Sequence, residues 1–289
     1  MTEKKQALEH HKIEKILYYI GGGIVFLGII ILVVQNWSSL DSITKILVTL
    51  GSGIASFFTA LLLDLDKRTK SVSSAFYLIS ALVMPTGILV TFNVAGIVLE
   101  LGILTITSFI LFTIFLFTSI LQKKNILTLF AILFGTSLFI TSTSWFVLND
   151  LLPDFDEFPL YQIIIVGSAY IFLAHQFSKN YRAQLSGFLY GFGIFGILGS
   201  IFLLGFFQNF WEYIYPIIVF GAIFGSVSVK SKTFLTWGTI FLMAYIIKIT
   251  SKYFSTGLGW PFALVLAGLA MIAVAAVSFS LKKKYFKEK

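Results

Sequence analysis

A chain of 289 residues that is 57% hydrophobic and 12% charged, with a mean hydropathy of +0.93, carries too little charge to clothe a soluble domain of that size. Its net charge of +8 would suit nucleic acid, but the Lys and Arg residues gather in short clusters between apolar runs, as insertion into a membrane and contact with anionic head groups require, so no nucleic-acid partner is expected. The absence of cysteine excludes disulfides, thiolate metal sites and cysteine nucleophiles.

Residues 2–15 form a short charged lead-in. His10 and His11 lie in it; side chains adjacent in sequence do not share a helix face, so they read as solvated residues rather than a metal pair. Ten apolar runs follow, near 16–35, 46–63, 72–91, 101–121, 126–148, 160–177, 184–207, 213–229, 233–250 and 260–280. Each has about the length a helix needs to cross a bilayer. The first run is too long for the apolar part of a signal peptide, lacks a small-x-small cleavage site, and is expected to remain as a span.

Alternate gaps between the runs hold 18 of the 21 Lys and Arg residues, which places both termini in the cytoplasm. Seven of the 13 acids, Glu212 among them, fall on the predicted outer side. Trp37, Trp145, Trp211 and Trp260 fall near predicted outer ends of spans, the head-group level that indole favours. The exception is the ninth gap, where Lys248 and Lys252 sit on the predicted outer side; Lys248 reads as a last-turn residue that snorkels outward. The third and fourth spans are separated only by Asn93 to Glu100, so this joint bears on the count. Ten spans divide into five plus five, which permits an inverted repeat, but no motif aligns between the halves.

Pro85 lies near the centre of the third span. Proline removes a backbone donor and frees a carbonyl at mid-membrane depth, which makes either a plain kink or part of a binding site. Pro85 and Thr86 are therefore candidates for a solute path, with Asn36, Asn93 and His175 as polar lining. His175, near the cytoplasmic end of the sixth span, could relay protons or simply sit at the interface. Pro216 and Pro261 are expected near helix starts. Thr141 to Ser144 either bond back to their own helix or line a polar pocket. The loop from Asp150 to Pro159 is acidic, and Asp154, Asp156 and Glu157 read as solvated charges rather than a cation site.

Gly191-Phe-Gly-Ile-Phe-Gly196 matches a dinucleotide-binding pattern, but it lies inside an apolar span with no strand before it, so the pattern is set aside. Gly28, Gly187, Gly191 and Gly196 read instead as small-residue positions where helices pack. No serine elbow, paired aspartates, zinc motif or phosphate loop is present, so no enzyme activity, catalytic residue, metal or cofactor is expected.

The segment from Tyr19 through three glycines and Gly28 to Asn36-Trp37 resembles predicted bacterial membrane proteins grouped as domain of unknown function 2157. The resemblance carries over Gly28, Asn36 and Trp37 and implies further hydrophobic helices, with no established activity. In layout alone the chain is similar to the drug/metabolite transporter superfamily. The expected fold is an all-α bundle of ten transmembrane helices, a single domain over 16–280 with a basic tail at 281–289, in the cytoplasmic membrane. Movement of a small neutral or apolar solute is the leading functional expectation. The alternative is a structural subunit that binds a membrane partner or a second copy of itself.

Overall fold

The computed structural model describes residues 37–254 apart from 67–68, 153–155, 180–181 and 230, together with single positions between 17 and 35 and between 265 and 276. All regular structure among the described residues is helical. Eight helices follow in order: α1 (Ser42–Leu63), α2 (Lys70–Val94), α3 (Leu101–Gln122), α4 (Asn125–Leu148), α5 (Phe158–Phe177), α6 (Ala183–Phe207), α7 (Asn209–Val229) and α8 (Lys232–Phe254). Each is long and apolar enough to cross a membrane. They correspond to the second through ninth predicted spans. The first and tenth, with Asn36, Trp260 and Pro261, lie outside the described residues except for single positions.

The near-continuous run over the third and fourth spans breaks where backbone geometry demands it. Gly96 takes φ +75°, its N–H donates to the Asn93 carbonyl, and the Ile97 N–H donates to the Phe92 carbonyl. This is a Schellman stop with glycine at the left-handed position. The same pair of bonds ends α4, with Asp150 at φ 56°. Only Lys123 and Lys124 connect α3 to α4, and Lys123 turns the corner at φ 51°.

The helices form two compact units that divide between Pro153 and Asp154, between the fifth and sixth predicted spans. In the first unit α2 touches α1, α3 and α4; in the second α6 touches α5, α7 and α8. The first unit is centred on Tyr77, Met84, Leu111, Phe115 and Leu127. Glycine sets how closely its helices approach: a Cβ on Gly87 would lie 2.4 Å from the Leu50 backbone, and one on Gly53 would lie 2.8 Å from Met84. Leu50 belongs to a single wide π turn, Leu47–Gly51, within α1. The second unit buries Leu189, Leu198, Leu204, Tyr215 and Val219, and Gly167 of α5 faces Gly193 of α6.

Large apolar side chains also cover the outside: Ile43 is 75% exposed, Leu62 68%, Phe172 64% and Ile217 71%. A soluble protein does not show apolar exposure of this extent around whole helices, whereas contact with lipid chains accommodates it.

Candidate functional site

Among the described residues each unit buries one carboxylate near a helix end, and the two are completed differently. In the first unit Asp64 caps the end of α1, with its side chain 1% exposed. Lys124, at the start of α4, forms an ion pair with Asp64 Oδ1 and also donates to Ser73 Oγ. The Ser73 hydroxyl donates to Asp64 Oδ1 at 2.9 Å and the Tyr77 hydroxyl to Oδ2 at 3.2 Å. Lys124 also donates to the Lys70 carbonyl at 3.1 Å. Both carboxylate oxygens have donors, and the cluster clips α1, α2 and α4 together.

In the second unit the carboxylate is Glu212, in the first turn of α7 and 2% exposed. Lys252 of α8 donates to its Oε2 at 2.5 Å, while Oε1 has no hydrogen-bond partner. The main chain around Glu212 is also unusual. Pro216, four residues on, lacks the N–H that would bond the Glu212 carbonyl, and the Tyr245 hydroxyl donates to that carbonyl at 3.1 Å instead. Tyr215 packs its ring on Tyr245 and Phe202 at centroid distances of 5.3 and 5.6 Å, and its buried hydroxyl has no partner either. Tyr245, Lys248 and Lys252 fall at i, i+3 and i+7, one face of α8.

Lys248 completes the arrangement. Its ammonium lies 3.7 Å from the Phe206 ring centroid and 5.3 Å from that of Phe202. Gly205 makes room for it: a Cβ there would come within 3.1 Å of the Lys248 Nζ and 3.4 Å of the Glu212 Cα. A cavity of about 470 Å³ opens beside this cluster, lined by Phe202, Gly205, Phe206, Ala244, Ile247, Lys248, Ser251 and Lys252. At the same end of the unit the Trp211 indole N–H donates to the Tyr161 hydroxyl at 3.1 Å, and Gln208 donates to Glu157 at 3.4 Å.

Most of the residues singled out in the sequence lie elsewhere. Pro85 is half-buried within α2, which continues through it, and Thr86 and Asn93 are exposed on the same helix. His175 is exposed in the last turn of α5. Asn36 lies outside the described residues, as does Asp154 of the acidic loop. Pro216 is not near a helix start: α7 begins at Asn209, so the proline is its eighth residue. The hydroxyls of Thr141, Ser142 and Thr143 all bond carbonyls of their own helix.

The glycines divide. A Cβ at Gly191 or Gly196 would meet Thr233 or Ile163 at 3.2 Å, whereas among the described residues nothing lies within 4 Å of one at Gly28 or Gly187. A closer crossing involves Gly193, the middle glycine of the set-aside pattern, whose Cβ would meet the Gly167 carbonyl oxygen at 2.8 Å. Gly187 and Gly191, with Phe188, Phe192, Phe195 and Trp237, instead line an apolar groove of about 380 Å³.

The Glu212 cluster was missed because Glu212 reads as an outer-loop acid. One signal pointed to it: Lys248 and Lys252 break the charge rule on the predicted side where Glu212 falls.

These features define a multi-pass helical membrane protein with a charged cavity at one end of its second unit. No protein-family model, curated protein or solved structure matches the chain.

Proposed function

We propose that this protein binds and moves a small solute across the membrane, and that the cavity beside Glu212 is where the solute enters. The observation that carries this reading is the cavity itself. About 470 Å³ is within the range of small-molecule sites, and an aromatic wall faces a few converging polar groups. Buried charge near the end of a bundle is expensive and serves as glue only when fully matched, as around Asp64. Around Glu212 the match is incomplete, which favours a binding role over a purely structural one.

Gly205→Leu tests this directly, because its side chain would occupy the space taken by the Lys248 ammonium. Six-carbon solutes (hexanol, hexanoate, hexylamine) are titrated against purified protein in nanodiscs, and uptake of whichever binds is then followed in proteoliposomes. Binding by the natural chain, abolished in the variant, is the expected result. If none of the three binds, or if Gly205→Leu binds them equally, the cavity does not take a dissolved solute.

A membrane subunit that docks a partner helix is the second reading, favoured by the groove along Gly187, Gly191 and Trp237. Gly187→Leu would then abolish a co-purifying partner while leaving solute binding intact.

A further inference from the structure

We propose that the cavity at the end of the second unit selects a monoanion: Lys248 and Lys252 hold its carboxylate or phosphate, and its apolar body lies on Phe202, Phe206, Ala244 and Ile247. This rests on the reading above that the cavity takes a small solute, and adds the solute's charge.

Among the described residues the charges in the cluster do not cancel: two ammonium groups stand beside one carboxylate, and Lys252 is engaged with Glu212 Oε2. Lys248 forms no hydrogen bond or ion pair among the described residues; it rests on two aromatic faces. Ring faces attract a cation but do not neutralise it. Glu212 lies behind this arrangement: it is 2% exposed and does not line the cavity, so both charged groups on the wall are positive. Ser251 adds a hydroxyl beside them. A cationic solute would meet two ammonium groups, and a neutral one would leave Lys248 with no counter-charge beyond the one Glu212 already shares with Lys252. One negative charge brings the cluster to neutrality, with a bond to Lys248 as the new contact.

The Asp64 cluster is completed differently among the described residues: Lys124 pairs with Asp64 Oδ1, and hydroxyls from Ser73 and Tyr77 donate to Oδ1 and Oδ2.

An anionic group on an apolar body can come from a dissolved organic acid or from the head group of an anionic lipid. The full chain is placed in phosphatidylcholine nanodiscs and titrated calorimetrically with hexanoate, hexanamide and hexylammonium. Hexanoate should bind about ten-fold or more tightly than hexanamide, since a site built around a charge rejects the analogue that lacks it. Lys248→Gln should remove that preference; Lys248 has no hydrogen bond or contact ion pair to lose among the described residues, so the variant should fold.

The lipid source is tested by exchanging phosphatidylcholine for phosphatidylglycerol. A rise in unfolding temperature for the natural chain but not for Lys248→Gln, without hexanoate binding, assigns the same site to a lipid head group. Equal binding of hexanamide and hexanoate, unchanged in Lys248→Gln, overturns the anion assignment and leaves the solute reading standing. No binding of any probe, with both chains responding alike to phosphatidylglycerol, overturns both.

Discussion

Gly193 and Gly187 lie on the same helix six residues apart, yet they carry different loads. A side chain at Gly193 must displace the Gly167 backbone, whereas one at Gly187 enters open space. Gly193→Leu should therefore cost about 1–3 kcal/mol, as overpacking of a closed crossing does. Gly187→Leu should stay within about 0.5 kcal/mol, as surface changes do. Equilibrium unfolding in mixed micelles separates the two. The Asp64–Lys124 pair gives a second expectation at this scale. Lys124→Met leaves a carboxylate that is 1% exposed without its cation, a loss of about 3–5 kcal/mol. Adding Asp64→Leu should recover part of that loss, because the stranded charge goes with it. A double substitution worse than the single one would show that the pair is not the source of the cost. Glycine and charge positions were legible in the sequence, but which glycine meets backbone was not. That depends on helix rotation, which a six-residue spacing leaves open.

At the scale of the element, α7 shows how a proline inside a helix can be absorbed. Pro216 withholds a donor from the Glu212 carbonyl, and Tyr245 of α8 supplies one in its place. Tyr245→Phe should cost about 1 kcal/mol in the natural chain, the usual net worth of such a bond. In the Pro216→Ala background the helix can make its own bond, and the cost of Tyr245→Phe should largely vanish. Additive effects in this cycle would separate the proline from the tyrosine. The end of α2 lay at a joint on which the span count depended: Gly96 takes a backbone conformation that few other residues adopt, and the stop falls within the gap read from Asn93 to Glu100. The start of α7 was misread because the polar residues Gln208, Asn209 and Glu212 resemble a loop, whereas in the fold Glu212 points inward to Lys252.

For the whole molecule, the alternation of basic loops predicts which connections face the cytoplasm. The absence of cysteine makes this easy to check, since each introduced thiol is the only one. Asp156→Cys, between α4 and α5, should react with an impermeant maleimide added to intact cells. Lys179→Cys, between α5 and α6, should react only after the membrane is opened. Labelling in the reverse order would invert the topology and place the Glu212 cavity at the cytoplasmic face. The Lys248–Lys252 exception to the charge rule has a tertiary explanation: Lys252 pairs with Glu212, and Lys248 rests on the Phe206 ring beside it.

The class of this protein follows from sequence alone. Hydropathy and charge are local properties, summed over about twenty residues at a time, so membrane-length helices and their alternating basic loops stand out without any knowledge of packing. Glycine stops and back-bonding hydroxyls are also local, because their partners lie within a turn or two. The site is different. Glu212 and Lys252 are separated by 40 residues, and their meeting depends on how α7 and α8 are rotated and how closely Gly205 lets them approach. Only the tertiary structure decided that one carboxylate is fully satisfied while the other is left beside a second lysine and a cavity.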